Sequence, residues 1–101
     1  MSPTDSTAEH PASMIRWHGP VDIEHVPGLR RELLEQIGRS PRVTIDLSEV
    51  EHLHTAGVAL LVEGLQRTQA LGTTLSLSGV GDRTREILRA TRLDTLFGLQ
   101  Q

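Results

Sequence analysis

The period of the apolar positions changes repeatedly along the chain, and the changes mark out its elements. In MIRWHG (14–19), Ile15 and Trp17 alternate with Met14, Arg16 and His18, which predicts a strand ended by Gly19-Pro20. In VPGLRRELLEQIG (26–38) the spacing becomes helical: Val26, Leu29, Leu33 and Ile37 share a face, Pro27 lies in the first turn and Gly38 closes the segment. After Ser40-Pro41, RVTIDLS (42–48) puts Val43, Ile45 and Leu47 on one side of a second strand. Residues 55–71 return to helical spacing, with Val58, Leu61, Val62 and Leu65 as the apolar stripe and Gly72 where a left-handed cap belongs.

TTLSLSGV (73–80) alternates as a third strand. Asp82 is the expected N-cap of a basic helix, RTREILRATR, that turns Ile87 and Leu88 inward, and LDTLFG (93–98) is a short closing segment. Strands and helices alternate at the crossover lengths that parallel pairing needs, so the fold class is α/β, one small domain with a mostly parallel sheet packed against helices. The expected division is a disordered tail over 1–13, too polar to join a core, and a folded unit over 14–101.

Composition narrows the chemistry. A unit of this size buries about 60–65% of its unfolded surface, enough for a modest core without disulfides. The chain has no cysteine, which excludes thiol catalysis and thiolate metal sites and fits a reducing compartment. All ten basic residues are arginine, so there is no Schiff-base or phosphate-loop lysine. A net charge of −3 gives no attraction to nucleic acid or anionic lipid, and Trp17 and Phe97 are too few for base stacking. The run from Ala56 to Val62 is too short to span a bilayer and the tail lacks a signal-peptide core, so direct membrane insertion is not expected and a cytoplasmic location is.

The candidate chemistry gathers in EHLHTAGVALL (51–61). His52 and His54 would point to the same side of an extended chain as metal ligands can, but no spacing nominates a third ligand. Ser48 or Thr55 with His54 and Asp46 has triad composition without triad spacing, since near neighbours in a chain seldom face one another. SEVE (48–51) has capping-box form and reads as a turn after the strand. Thr55 is the expected N-cap of the following helix, its hydroxyl accepting from the amides of Gly57 or Val58. The same hydroxyl is a phosphorylation candidate, placing about 1.5–2 negative charges at a helix N-terminus.

Four stretches together carry a family resemblance: GPVDIEHVPGLRREL, VTIDLSEVEHLHTAGVALL, GTTLSLSGVGDRTREIL and TRLDTLF. Over about residues 14–98 the chain resembles the STAS domain shared by sulfate transporters and anti-sigma-factor antagonists, which implies a SpoIIAA-like fold and no catalysis. The resemblance places Thr55 at the phosphorylatable position of the switch segment, with His54 where aspartate is usual and Ala56 where a second serine often stands. A threonine followed by AGVALL is most similar to the small STAS subunit of Mla-type lipid-transport ABC systems. It implies a partner, an ABC transporter ATPase subunit or alternatively an anti-sigma factor serine/threonine kinase, with any membrane association coming through that partner. The implied docking face comprises His52, His54, Thr55, Ala56, Gly57, Val58, Ala59, Val62 and Glu63. No cofactor and no metal are implied.

Overall fold

A computed structural model describes residues 12–99. Strand β1 spans Ala12–Val21, helix α1 Val26–Arg39, β2 Arg42–Leu53, α2 Thr55–Leu71, β3 Thr74–Ser78, α3 Asp82–Ala90 and α4 Leu93–Leu96. The strands form one sheet in the order β1-β2-β3, and both pairings are parallel. The α/β reading therefore holds. The tail expected over 1–13 lies outside the described residues up to position 11, while Ala12 and Ser13 open β1.

Alternation decides which face of the sheet is covered. Ile15 and Trp17 of β1, Val43, Ile45 and Leu47 of β2, and Leu75 and Leu77 of β3 are buried and share one face by register. Leu33 and Ile37 of α1, Leu60 and Leu61 of α2, Leu88 and Leu93 complete the same core. A fully buried leucine contributes roughly 1.5–3 kcal/mol relative to exposure. Among the described residues the opposite face is polar: Arg16 Nε donates to Asp46 Oδ2 at 3.3 Å, and the hydroxyls of Thr44 and Ser76 are 2.9 Å apart. Met14 stands on that face, 64% exposed.

Several boundaries differ from the sequence reading. Strand β1 continues through Gly19-Pro20, because Gly19 takes a left-handed φ of 70° and Pro20, on a strand at the end of the described sheet, needs no ladder partner for a donor it lacks. Strand β2 continues through SEVEHL, which therefore forms no turn. The offset between paired residues of β1 and β2 grows from 30 at Arg16–Asp46 to 31 at His18–Glu49 and 32 at Pro20–His52, so β2 absorbs two extra residues as irregularities in the ladder. Asp46 Oδ1 accepts the Ser48 amide at 2.9 Å where the first occurs. Gly79, at φ 64°, packs there as well, and a Cβ on it would lie 2.6 Å from Asp46 Oδ1.

Helix ends shift by one residue. α1 runs to Arg39 with Ser40 as its C-cap, and Gly38 stays inside the helix. His54 and Gly81, both extended, occupy the N-cap positions read for Thr55 and Asp82, and neither cap makes a side-chain hydrogen bond. Gly72 caps α2 in the left-handed conformation, as expected. Strand β3 is shorter than 73–80, since Gly79 turns the chain away after Ser78.

The inward stripe of α2 is the largest departure. Gly57, Leu60, Leu61, Gly64 and Thr68 are its buried residues, whereas Val58, Val62 and Leu65 are only half-buried. Glycines turn inward because the helix lies close to its neighbours: a Cβ on Gly64 would lie 3.0 Å from Leu33 and from Leu75. Thr68 fits the same stripe by donating its hydroxyl to the Leu65 carbonyl at 2.9 Å.

Candidate functional site

Parallel strands deliver their C-terminal ends to one end of the sheet, and the segment of interest starts there. The His54 amide donates to the Val21 carbonyl at 3.0 Å, tying the end of β2 to the end of β1. α2 then begins at Thr55, whose side chain is exposed. The Val58 amide is taken by the His54 carbonyl at 3.0 Å, so it is unavailable to the Thr55 hydroxyl in the role expected for it.

On α2, Thr55, Ala59, Val62 and Gln66 follow the i, i+4, i+7, i+11 spacing opposite the buried glycines. Ala59 is exposed, and Ala56, Val58 and Val62 are half-buried. Gly57 belongs to the inward side: a Cβ there would meet Val21 Cγ1 at 2.6 Å and Leu53 Cδ1 at 2.8 Å, so the close approach it permits is to the sheet beneath. Glu63 is engaged within the molecule. Arg30 Nε donates to its Oε1 at 2.9 Å and Oε2 at 3.0 Å, and Nη2 to Oε2 at 2.7 Å, a forked pair between α1 and α2 that holds the Glu63 carboxyl below the usual range.

The histidines and the triad composition resolve differently. His52 and His54 are exposed, with ring centroids 4.3 Å apart in an edge-to-face arrangement. Among the described residues, no group of three or more histidine, aspartate or glutamate side chains is placed to hold a metal ion. Asp46 is occupied by Ser48 and Arg16 and stands eight residues before His54 along an extended strand, roughly 20–25 Å, which takes Ser48, Asp46 and His54 apart as a catalytic group.

Two groups of residues missed by sequence reasoning border Thr55. His54 and Thr55 form a ridge between two shallow depressions, one shared with Ile87 and Thr91 around α3 and the other with Asp22, Ile23 and Ala56. Ile23 is 77% exposed. Asp22 builds the turn that presents it: its Oδ1 accepts from the Glu24 amide at 3.1 Å, the His25 amide at 3.2 Å and His25 Nδ1 at 2.6 Å. The His25 ring holds the Asp22 carboxyl below its ordinary range. The signal that could have found this turn is an isoleucine between two acids, immediately after a strand.

The arrangement is a small α/β domain with an exposed hydroxyl at a helix start. The family model described as "Mlab, STAS domain" matches residues 6–100, and the chain belongs to that STAS family. An anti-sigma factor antagonist from Mycobacterium paratuberculosis is similar at 26% identity and a TM-score of 0.77, over 87% of this chain and 76% of that one. The fold alone is shared with SpoIIAA in its unphosphorylated form, at 14% identity and TM-score 0.70 over 89% and 92% of the two chains. It is shared too with a SulP transporter STAS domain from Vibrio cholerae, at 19% identity and TM-score 0.69 over 88% and 70%. Among the described residues, no helix is long and apolar enough to cross a membrane.

Proposed function

We propose that the protein is a non-enzymatic regulatory module that docks, through the Thr55 loop and the outer face of α2, on a nucleotide-binding partner. The supporting observation is that α2 turns Gly57 and Gly64 to the core and leaves Thr55 and Ala59 exposed, flanked by Val58 and Val62, which are only half-buried at the edge of the core. A helix needing only to cover the sheet would bury its valines completely. The partner we favour is the ATPase subunit of an Mla-type lipid-transport ABC system, at which the protein acts from the cytoplasm. The family model's description and the Thr55-Ala56-Gly57 sequence support this choice.

A second reading is an anti-sigma-factor antagonist switched by phosphorylation of Thr55, favoured by the similarity to the mycobacterial antagonist. In both readings charge at Thr55 opposes burial of the uncharged patch of Thr55, Ala56 and Ala59 against a partner. Thr55→Glu is expected to weaken partner binding by more than about 1.4 kcal/mol, roughly tenfold, while Thr55→Ala retains most of it. Titrations against the candidate ATPase subunit and the candidate kinase decide between the readings, and wild-type affinity in both variants would remove Thr55 from the switch.

A further inference from the structure

Ile23 is the most exposed of the large apolar residues among those described, at 77%. It stands on a turn fixed by three hydrogen bonds to Asp22, so the turn presents an apolar side chain on a pinned backbone. Such a group loses little freedom on binding. It borders the depression containing Thr55 and Ala56, which makes it continuous with the α2 face.

Along the two segments that line this depression, the β1–α1 turn and the β2–α2 junction, the fixed charge has one sign. No arginine occurs from position 17 to 29 or from 43 to 66, the stretches that build this end of the sheet and the start of α2. Glu24 neighbours Ile23, and Glu51 stands on β2 between the residues paired with Gly19 and Pro20. Both are exposed, and neither makes an ion pair among the described residues.

We propose that Ile23 anchors the docking surface by entering an apolar socket on the partner whose rim carries arginine or lysine facing Glu24 and Glu51. This rests on the docking reading above and supplies the chemistry of its occupant. A second copy related by a two-fold axis would bring Glu24 and Glu51 toward the same acids, and an anionic lipid surface would repel them, so a basic protein surface is the complement.

The test places the photo-crosslinking residue benzoylphenylalanine at position 23 of the full chain in its own cells, with the same probe at Ala59 on α2 and at Met14 on the polar sheet face. Positions 23 and 59 should yield adducts with the same protein and position 14 should not. With that protein purified, Ile23→Asp should reduce affinity roughly thirtyfold and Ile23→Leu should retain it. Glu24→Gln with Glu51→Gln should slow association in low salt and lose its effect in high salt. Unchanged melting of Ile23→Asp separates lost contact from lost fold. Adducts from Ala59 without any from Ile23 would overturn the anchor and leave the docking reading standing. Shared adducts with a protein that binds no nucleotide would leave the anchor and remove the proposed partner class. Self-adducts at Ile23, adducts from Met14 alone, or none at any position would overturn the anchor.

Discussion

A methyl group at Gly57 would have almost nowhere to go, for beneath it lie the stiff Val21 side chain at 2.6 Å, Leu53 at 2.8 Å and the Val21 carbonyl oxygen at 3.1 Å. Alanine gains about 1 kcal/mol over glycine as a helix former, but overpacking costs about 1–3 kcal/mol, and the stiff β-branched partner tips the balance. Gly57→Ala should therefore lower the urea midpoint and shift the backbone amide signals of Thr55 and Ala56. Gly38, helical with nothing within 4 Å of its absent Cβ, is the converse: Gly38→Ala should raise the midpoint. Opposite signs at two helical glycines would confirm that space decides, whereas equal signs would refute it. The sequence located the start of α2 to within one residue, because an apolar helical stripe after a short polar segment leaves little freedom for the helix start. It missed the cap by one because the extended backbone of His54 fills that position without a side-chain hydrogen bond.

Among the elements, α1 and α2 meet through apolar contacts and through the Arg30–Glu63 fork. Both side chains are partly exposed, so the pair fixes the angle between helices more than it adds stability. A double-mutant cycle with Arg30→Gln and Glu63→Gln should give a small favourable coupling that vanishes near 1 M salt, where the screening length is about 3 Å. Coupling that survives such salt would overturn this assignment. Strands and helices were legible from period alone, since Ile15-Trp17, Val43-Ile45-Leu47 and Leu75-Leu77 alternate cleanly. The inward face of α2 was not, because glycine carries no apolar signal and Gly57 and Gly64 face the core only through close approaches that sequence spacing cannot express. The continuation of β2 was hidden for a related reason: Ser48, Glu49 and Glu51 are exposed polar residues of a slipped ladder and look like a turn.

For the molecule as a whole, three carboxylates tie separate parts of the fold: Asp22 holds the β1–α1 turn, Asp46 the irregular part of β2, and Glu63 the two helices. Each is held below its ordinary range, by the His25 ring, the Ser48 amide and the Arg30 guanidinium respectively. Because the folded values lie below the unfolded ones, about 3.9 for Asp and 4.3 for Glu, their stabilisation is fully present above about pH 5. It is lost as the pH falls through the lower folded values. Urea midpoints should thus fall modestly below about pH 4, and a variant combining Asp22→Asn, Asp46→Asn and Glu63→Gln should show a shallower fall. Equal slopes would exclude these groups as the source. The two slips in β2 have a consequence for how such a chain can vary. Side chains on a strand change sides with every residue, so one slip alone would turn Leu53 outward, while two restore its facing and pair it with the buried Val21. The stretch from 47 to 53 therefore counts in twos: losing one residue there would turn the end of the strand inside out, and losing two would remove both slips and leave the leucine opposite Val21.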